Sequence, residues 1–572
     1  MKQNQKLKNL RHSMQQKGID LYLMVNSDPH ESEYLPEYWK CITWLTGFRG
    51  EVATVIVTQN EALLWTDSRF FLSGDQQLAD SGFQLMKMKV DIPVETWLND
   101  YIKQSVNPPV IAGDKRVIFG KMADFITMDK DLIFPLWEDR PTLPQGKIEI
   151  YPDAYNGVSV AEKIRRVLDC IHREDGKGAL FLKALDEIAW VLNLRGSDIH
   201  CTPVFISYLL LSETRKVLFV DDAKLTQEVK MYLQNLGIET APYEEAPLTA
   251  EKGLHYTTNN PIPLMKAIKN PVEIKGYRKA MLKDGIALTR FYHWLEDALK
   301  AGEIITELDC VDKLIHYRSS FEDYREESFD AIVAWNEHGA LPHYEPRPET
   351  NVTIQGDGLL LIDTGGQYLD GTTDITRTIG VGKVSDAMKR DYTLVLKGHI
   401  RLATAVFPKG TRGDQLDALA RLDLWRDGKT YRHGTGHGVG HYLGCHEGPE
   451  SIRMEHNPQI LEEGMLFSNE PAIYLGGKYG VRHENCVLVR PFDVKNEAPD
   501  ATPCDLSEHG EFLCLETLTL CYIDTSCIDR NLLTVDETNW INNYNRRVYE
   551  LVSPYLEESD RIWLKQKCVN LI

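Results

Sequence analysis

Two similar segments of this chain restrict its fold more than any other feature. The first is Ile42-Thr-Trp-Leu-Thr-Gly-Phe-Arg-Gly50, and the second is Ile188-Ala-Trp-Val-Leu-Asn-Leu-Arg-Gly196. They share isoleucine, tryptophan, arginine and glycine in the same register. A strand–turn–strand pattern that ends in aspartate, at Asp67 or at Asp221, follows each of them. The spacing between the two segments along the chain far exceeds the repeat units of about 20 to 50 residues that build solenoids. We therefore predict two copies of one α/β domain.

The rest of the chain is long enough for a third, larger domain. At about 150 residues per domain, 572 residues predict three to four domains, and large α/β domains exceed that size. The predicted boundaries are 1–145 and 146–262 for the two copies, and 263–572 for a catalytic domain with a C-terminal helical extension. That extension has a helical pattern from Val535 to Leu564. The predicted fold class is α/β, in the wider sense that includes α+β.

The charge of the chain argues against several classes of partner. Lysine and arginine number 64 against 84 aspartates and glutamates, which gives a formal net charge of −20. Such an acidic surface repels phosphate backbones and anionic lipids, so we predict no nucleic-acid partner and no membrane partner. The longest apolar run falls far short of the roughly 20 residues that a membrane-spanning helix needs, and the N-terminus lacks the apolar segment of a secretory signal.

The cysteines indicate a reducing compartment. There are eleven, they are scattered along the chain, and none forms a C-x-x-C pair. This usage argues against a disulfide framework and against a cysteine-rich zinc site. We therefore predict that the protein is cytoplasmic.

Two pairs of carboxylates in the third domain each frame a predicted β-hairpin. Asp363 ends the apolar run Leu359-Leu-Leu-Ile362, and Asp374 follows after the turn signal Asp370-Gly371. In the second pair, Glu470 follows an apolar strand pattern and Glu484 precedes another, with Gly477 at the expected turn. A hairpin sets its strands side by side, so each pair comes within reach of one site.

Arg482 belongs to the second of these hairpins. Side chains alternate along a strand with period two, so Arg482 is expected on the same face as Glu484. A single carboxylate at a strand end is usually solvated, whereas two such hairpins in one domain indicate a shared acidic site.

A segment rich in histidine and glycine lies between the two pairs. It reads Tyr431-Arg-His-Gly-Thr-Gly-His-Gly-Val-Gly-His-Tyr-Leu-Gly-Cys-His-Glu-Gly-Pro449, and three of its histidines have helical spacing. Each interspersed glycine would cost a helix about 1 kcal/mol relative to alanine, so we predict an irregular, closely packed segment. The glycines also fail to match the register of a dinucleotide-binding loop. A functional site is the better interpretation.

This acidic site is predicted to hold two divalent cations. Four carboxylates and one neutral imidazole carry four negative charges, which would repel one another in a partly buried pocket without such ions. An oxygen-rich ligand set favours Mn²⁺, Co²⁺ or Mg²⁺ over structural zinc. Two metals close together bind a bridging water, lower its pKa and polarise a substrate carbonyl. The predicted chemistry is therefore hydrolysis.

The order of these ligands resembles the dinuclear centre of the pita-bread metallopeptidases, which include methionine aminopeptidase, prolidase and aminopeptidase P. Three further segments are similar to the cytosolic, three-domain Xaa-Pro aminopeptidases: Leu185-Asp-Glu-Ile-Ala-Trp-Val-Leu-Asn-Leu-Arg-Gly-Ser-Asp198, His433-Gly-Thr-Gly-His-Gly-Val-Gly440 and His446-Glu-Gly-Pro449. The resemblance covers essentially the whole chain. It implies two related creatinase-like N-terminal α/β domains before a pita-bread catalytic domain.

The resemblance also implies an activity, which is release of the N-terminal residue from peptides with proline in the second position. The reaction would be attack on the X-Pro bond by a water that bridges two metal ions, with Mn²⁺ the first choice and Co²⁺ or Zn²⁺ the alternatives. An X-Pro bond has no N–H, so ordinary extended-strand recognition by proteases fails there. The two N-terminal domains would narrow access to a free chain end, and a homodimer is expected.

Carried over to this sequence, the resemblance gives each metal ligand a role. Asp363 would bind one metal, and His437 and Glu470 would bind the other. Asp374 and Glu484 would bridge the two. Glu470 would also act as the general base toward the water.

Further residues are implied at the substrate. His343 would contact substrate near the scissile bond, and His446 would steady the tetrahedral intermediate or pass a proton. His433 would line the same pocket, and Arg482 would anchor the strand of Glu484 beside it. Arg69, in a segment that the family shares, would either touch substrate or pair with an acid.

Two histidines depart from the family pattern. His441 and His483 stand beside the ligands His437 and Glu484, where the family is not expected to have histidine. They could lie behind the ligands or alter the choice of metal, but we expect neutral changes at the surface.

Two rival functions are compatible with parts of the sequence. Prolidase has the same centre but cleaves only dipeptides, and its usual single N-terminal domain fits the duplication poorly. A metal-free pita-bread binding module is more remote, because all five ligands and the pocket histidines are present here.

Overall fold

The computed structural model describes residues 2–175, 178–246, 256–493 and 510–570. The first N-terminal unit is built on a six-stranded sheet, with two helices of at least seven residues in addition to the long N-terminal helix. Its two central pairings are antiparallel and the outer ones are parallel. In spatial order the strands are Gln84–Lys87, Ala62–Thr66, Thr54–Thr58, Leu21–Val25, Ile111–Gly113 and Met128–Asp129. The helices are Gln3–Gln16, Cys41–Thr46, Phe71–Gln77, Val94–Gln104 and Gly120–Ala123.

The second N-terminal unit has a smaller, four-stranded sheet. Its strands, in spatial order, are Glu239–Ala241, Lys216–Val220, Ser207–Leu211 and Leu180–Leu182, and Glu149–Ile150 pairs separately with Leu194–Arg195. Its helices are Asp153–Asn156, Val160–Asp175, Leu185–Leu192 and Gln227–Asn235. Both N-terminal units keep their apolar strand faces in buried clusters of their own.

The two units share the local structure that the sequence repeat predicts. The first repeat segment forms a helix that ends at Gly47 in the left-handed region (φ 82°), and the second forms a helix that ends at Asn193 (φ 48°). An antiparallel hairpin follows in each unit. The aspartates after the hairpins, Asp67 and Asp221, each accept a backbone N–H two residues on, at Arg69 and at Ala223. Such a side chain caps the short helical turn that begins there.

The C-terminal unit surrounds its sheets with long helices. The first sheet has the order Ile332–Trp335, Gly358–Thr364, Ile375–Val381, and the second Val406–Pro408, Phe512–Thr517, Asn485–Pro491, Leu466–Asn469, Gly436–Gly438, Glu447–Ile452. Smaller sheets contain Tyr324–Glu327, Gly366–Tyr368 and Gly371–Thr372, and also Ala472–Leu475 and Tyr479–Arg482. The helices are Ile262–Ala267, Pro271–Lys300, Glu307–Arg318, Asp386–Ala403, Gly413–Arg426, Val535–Val552 and Glu558–Lys567.

The C-terminal helical extension is interrupted once. Two helices occupy the predicted stretch, and a short 3₁₀ turn, Ser553–Tyr555, lies between them. Pro554 in this turn lacks the N–H that a continuous helix would use. Their buried side chains, which include Ile541, Val548 and Leu564, join the main apolar core of this unit. Among the described residues, no helix is long and apolar enough to cross a membrane.

Candidate metal centre

The first acidic pair lies on an antiparallel ladder, as its spacing predicts. Gly358–Thr364 pairs with Ile375–Val381, which sets Asp363 opposite Thr376. Asp374 directly precedes the second strand. The connection between them forms a small ladder of its own and turns at Asp370. Both carboxylates therefore emerge at the same end of one sheet.

The second pair repeats this geometry on another sheet. Leu466–Asn469 pairs with Asn485–Pro491, so Glu470 follows one strand and Glu484 precedes its neighbour. The residues between them form a two-stranded ladder with Gly477 at its turn, in the left-handed region (φ 70°).

His437 lies between the two pairs, on the short strand Gly436–Gly438. This segment is not helical, in agreement with the sequence analysis. A Cβ on Gly436 would lie 2.0 Å from the Ser468 carbonyl oxygen, and one on Gly438 would lie 2.5 Å from that of Glu447. Only glycine permits the backbones to approach this closely. The close approach positions the His437 side chain beside Glu470.

The side chains converge across the two sheets. Ligand atoms of Asp374, His437 and Glu484 all lie within 4.8 Å of one another. His437 Nε2 is 3.4 Å from Asp374 Oδ2 and 3.7 Å from Glu470 Oε1. All ten residues predicted for the site line one cavity of about 1130 Å³: Arg69, His343, Asp363, Asp374, His433, His437, His446, Glu470, Arg482 and Glu484.

The electrostatics of the cluster fit divalent cations. Burial, together with Asp374 and Asp363, raises the pKa of Glu484 well above its ordinary value. Burial also raises the pKa of Glu470, against the opposing effect of His437. Among the described residues Asp363 Oδ1 is buried without a hydrogen-bond partner. Arg482 acts to lower the pKa of both glutamates but does not reverse these shifts, and oxygen ligands with one imidazole suit divalent metal ions.

The other predicted histidines surround this cluster. His446 Nδ1 is 2.6 Å from Glu33 Oε1, and its ring stands edge-on to His437 with centroids 4.3 Å apart. Burial lowers the pKa of His446, but the Glu33 carboxylate outweighs it and the pKa is raised to about 9. His433 Nε2 is 2.9 Å from the Tyr474 hydroxyl.

His343 reaches the cavity from a loop of the C-terminal unit. Its Nδ1 is 3.5 Å from Glu51 Oε2, and its ring meets Phe70 edge-on. Burial raises the pKa of Glu51, but the hydrogen bond from His343 prevails and lowers it to about 2.

The two predicted arginines have different surroundings. Arg482 is buried and donates to Asp363 Oδ2 at 2.5 Å, to the Tyr474 hydroxyl at 2.6 Å and to Thr376 Oγ1 at 3.0 Å. Thr376 in turn donates to Glu484 Oε2 at 2.7 Å. Arg69 pairs with Asp67 at 2.7 Å while lining the cavity. The ion pair with an acid, one of the two alternatives expected for Arg69, is therefore present.

Four family models, one after another along the chain, together match almost all of it. Models of the creatinase/prolidase N-terminal domain match residues 6–123 and 139–255, metallopeptidase family M24 matches 275–491, and the C-terminal region of peptidase M24 matches 511–571. A Laccaria bicolor protein called "Probable Xaa-Pro aminopeptidase P" is 36% identical, over 99% of this chain and 93% of its own length. The chain belongs to metallopeptidase family M24.

Other family members are similar over most or all of their length. "Aminopeptidase P2" of Arabidopsis thaliana is 36% identical over 95% of this chain and 84% of its own length. The crystal structure of the X-prolyl aminopeptidase of Caenorhabditis elegans, described as a cytosolic enzyme with a di-nuclear active site, covers 100% of both chains. Its TM-score is 0.91 at 32% identity. The α/β architecture, with creatinase-type N-terminal units and an M24 unit, is therefore confirmed, and Asp374, His437 and Glu484 of this chain form a group that could hold a metal ion.

The expectation that His441 and His483 lie at the surface is wrong. Their exposed fractions are 3% and 1%. Nδ1 of His441 is 3.2 Å from the Tyr151 hydroxyl, and its ring stands edge-on to Tyr277. His483 packs edge-on against Tyr392, and burial lowers the pKa of both histidines well below the ordinary value. Sequence position beside a ligand gave no indication of this packing.

The M24 centre also includes residues that sequence reasoning missed. Glu33 and Glu51 come from the first N-terminal unit and carry no local motif. Tyr474 could have been found, because it lies on the predicted hairpin at an even spacing from Arg482 and therefore on its face. Cys445, buried behind the site, places Sγ 3.2 Å from Asp374 Oδ2.

Proposed function

We propose that this M24 protein is an Xaa-Pro aminopeptidase, which removes the first residue of a peptide whose second residue is proline. One observation carries the proposal: a buried cluster of four carboxylates and His437 opens into a cavity that the N-terminal units also line. The names of its relatives and the full-length similarity to the C. elegans enzyme support it.

The proposed ligand roles are those that the family resemblance implies. Asp363 would hold one ion, His437 and Glu470 the other, and Asp374 and Glu484 both. We favour Mn²⁺, with Co²⁺ or Zn²⁺ as alternatives, because carboxylate oxygens dominate the set. Such a pair of ions lowers the pKa of water and polarises the carbonyl of the scissile bond.

Glu470 is the proposed general base. Its carboxylate lines the cavity, where it can accept a proton from water. The nitrogen of an X-Pro bond has no hydrogen, so the leaving proline must gain a proton, and Glu470 can deliver the one it has taken.

The histidines are proposed to act on the substrate. His446 is held protonated by Glu33, so it can stabilise negative charge that develops on the carbonyl oxygen. His343 and His433 both line the cavity and would position the peptide. Arg482 would keep the Asp363 and Glu484 strands together, and Arg69 would border the peptide from the first N-terminal unit.

Access to the cavity supports an exopeptidase. Glu33, Glu51 and Arg69 of the first N-terminal unit and His200 of the second line it together with the M24 residues. A chain end can enter a cavity that is closed on these sides, whereas an internal segment of a folded protein cannot. The product of each cycle would be one free amino acid.

Location and assembly extend this proposal. We place the protein in the cytoplasm, in keeping with the description of the C. elegans enzyme and with the free thiols of the ten described cysteines. Family resemblance supports a homodimer, and light scattering on the purified protein tests it.

Mass spectrometry of a longer peptide tests the activity. An Arg-Pro-Pro-type peptide is incubated with chelator-treated protein, with and without added Mn²⁺. We expect loss of the first residue alone, and only with metal; Asp374→Asn should abolish it, whereas exposed Asp386→Asn should not. An intact peptide after Mn²⁺, Co²⁺ and Zn²⁺ would contradict the proposal, and cleavage of an X-Pro dipeptide alone would identify a prolidase.

A further inference from the structure

A second cluster of metal-ligating side chains lies at the rim of the cavity. His200 and Cys201 belong to a loop of the second N-terminal unit, and Asp330 follows the strand Tyr324–Glu327 of the C-terminal unit. Their ligand atoms all lie within 4.8 Å of one another. His200 Nε2 is 2.8 Å from Asp330 Oδ1 and 3.3 Å from Cys201 Sγ.

The thiol of this cluster has a rigid position. Cys201 is 2% exposed and its backbone is in the left-handed region (φ 60°), which a side chain other than glycine rarely adopts. Its carbonyl oxygen accepts a hydrogen bond of 3.0 Å from Gln367 Nε2, which also donates to the Leu443 carbonyl oxygen at 2.6 Å. The C-terminal unit therefore holds this loop in place.

The surroundings of the cluster attract a cation. Glu326 accepts the backbone N–H of Cys201, and burial raises its pKa. Glu327 Oε1 is buried without a hydrogen-bond partner among the described residues, although Arg318 Nη1 lies 3.8 Å away. The side chains of His200 and Asp330 are 68% and 52% exposed, which leaves room for water on the open side.

We propose that His200, Cys201 and Asp330 bind a thiophilic divalent ion of the Zn²⁺ class, at a site separate from the M24 centre. Thiolate, imidazole and carboxylate are all ligand types of zinc sites, and three protein ligands leave a fourth position open to water. Bond lengths of about 2.0 to 2.3 Å put tetrahedral ligand atoms about 3.3 to 3.6 Å apart. The distance between Cys201 Sγ and His200 Nε2 already lies in this range, so small rotations of the side chains would bring all three ligand atoms to a tetrahedral ion.

Occupancy of this site would affect access to the cavity. Both His200 and Asp330 line the cavity wall, near Glu345 and Arg347. The ion would join the second N-terminal unit to the C-terminal unit at the mouth of the cavity. We therefore expect Zn²⁺ in excess of the amount that fills the M24 centre to inhibit peptide cleavage.

Cobalt spectroscopy tests the binding directly. Chelator-treated full-length protein is reloaded with Co²⁺, and a thiolate-to-cobalt charge-transfer band is sought in the near ultraviolet. The five M24 ligands include no cysteine, so only a thiolate site can give this band. Cys201→Ser should abolish it and bind one ion fewer per chain. Cys445→Ser is the matched control, since Cys445 lies beside the M24 ligand Asp374, and this variant should keep the band.

The outcomes separate this site from the proposed function. Asp374→Asn should lose peptidase activity but keep the thiolate band. A wild-type protein without the band, or a band that Cys445→Ser removes and Cys201→Ser keeps, would overturn the second site. If the ion binds but excess Zn²⁺ inhibits the wild type and Cys201→Ser equally, the proposal that this ion hinders entry of peptide into the cavity is wrong.

Discussion

Glu33 Oε1 lies 2.6 Å from Nδ1 of His446, although 413 positions separate the two residues in the chain. The contact joins the first N-terminal unit to the M24 centre, where the His446 ring stands against His437. A residue of an N-terminal unit therefore sets the charge and orientation of a histidine at the centre. The first N-terminal unit therefore contributes a residue to the site itself.

Replacing Glu33 tests this dependence. Glu33→Gln keeps the shape but removes the negative charge that holds His446 protonated, so we expect kcat/KM on an X-Pro peptide to fall about 10- to 100-fold. Metal content, measured by mass spectrometry, is followed in parallel. The exposed Glu61→Gln is the control in the same unit and should act as wild type. Full activity of Glu33→Gln would contradict the role of this contact.

The ion pair of Arg482 and Asp363 predicts a stability change that depends on metal. Arg482→Met leaves a buried carboxylate without its cation, which costs about 3 to 5 kcal/mol when one partner of such a pair is removed. Bound divalent ions would supply that charge instead. We expect a large loss in denaturation midpoint with chelator and a smaller loss with Mn²⁺.

The conservative variant refines this test. Arg482→Lys keeps a positive charge but cannot reach Asp363, Tyr474 and Thr376 at once. Its denaturation midpoint should therefore lie between that of the wild type and that of Arg482→Met. Equal losses with and without metal would show that Asp363 does not face a bound ion.

Gly276 predicts a packing defect that reaches the centre. It lies in the helix Pro271–Lys300, and a Cβ there would be 2.3 Å from the Asp370 carbonyl oxygen, in the turn between Asp363 and Asp374. Alanine favours a helix by about 1 kcal/mol over glycine, but overpacking typically costs about 1 to 3 kcal/mol. We expect Gly276→Ala to lower both the denaturation midpoint and the affinity for Mn²⁺. Exposed Lys275→Ala should change neither, and a stabilised Gly276→Ala would contradict the predicted clash.

Glu187 predicts a pH-dependent stability. Burial, together with Asp186, raises its pKa from 4.5 to about 7. Below pH 4.5 the carboxyl is protonated in the folded and unfolded states alike, so it has no effect. Between pH 4.5 and about pH 7, Glu187 keeps its proton in the folded state but loses it in the unfolded state. The free energy of unfolding therefore falls as the pH rises, by at most about 3 kcal/mol once the pH exceeds 7.

Glu187→Gln removes this proton linkage. Its amide oxygen can still accept from Asn260 Nδ2, which donates to Glu187 at 2.7 Å. We expect the variant to unfold at the same urea concentration as wild type near pH 4 and at a higher one near pH 8. Identical midpoints at both pH values would show that Glu187 ionises as freely in the folded state as in the unfolded chain.

The hairpins and the ligands on them could be predicted because their signals are local. Alternating side chains, the Asp370-Gly371 turn and Gly477 are enough to bring Asp363 near Asp374 and Glu470 near Glu484. The interspersed glycines likewise argue against a helix at His437. None of these inferences needed a contact between distant parts of the chain.

Burial and distant partners were not predictable in the same way. His441 and His483 read as surface changes, yet Tyr151, Tyr277 and Tyr392 from other elements enclose them. Neighbours in the sequence do not report which helix will cover a strand. The scattered cysteines argued against a cysteine-rich zinc site, and nothing in the sequence indicated that the fold brings Cys201 to Asp330.

The sequence by itself determined the duplicated α/β units, the two acid-framed hairpins and the chemical class of the centre, because each depends on residue types at short, fixed spacings. Only the tertiary structure decided that Glu33 meets His446 and that His200 meets Asp330. Those pairs join separate units, and the packing of whole sheets and helices sets their distances.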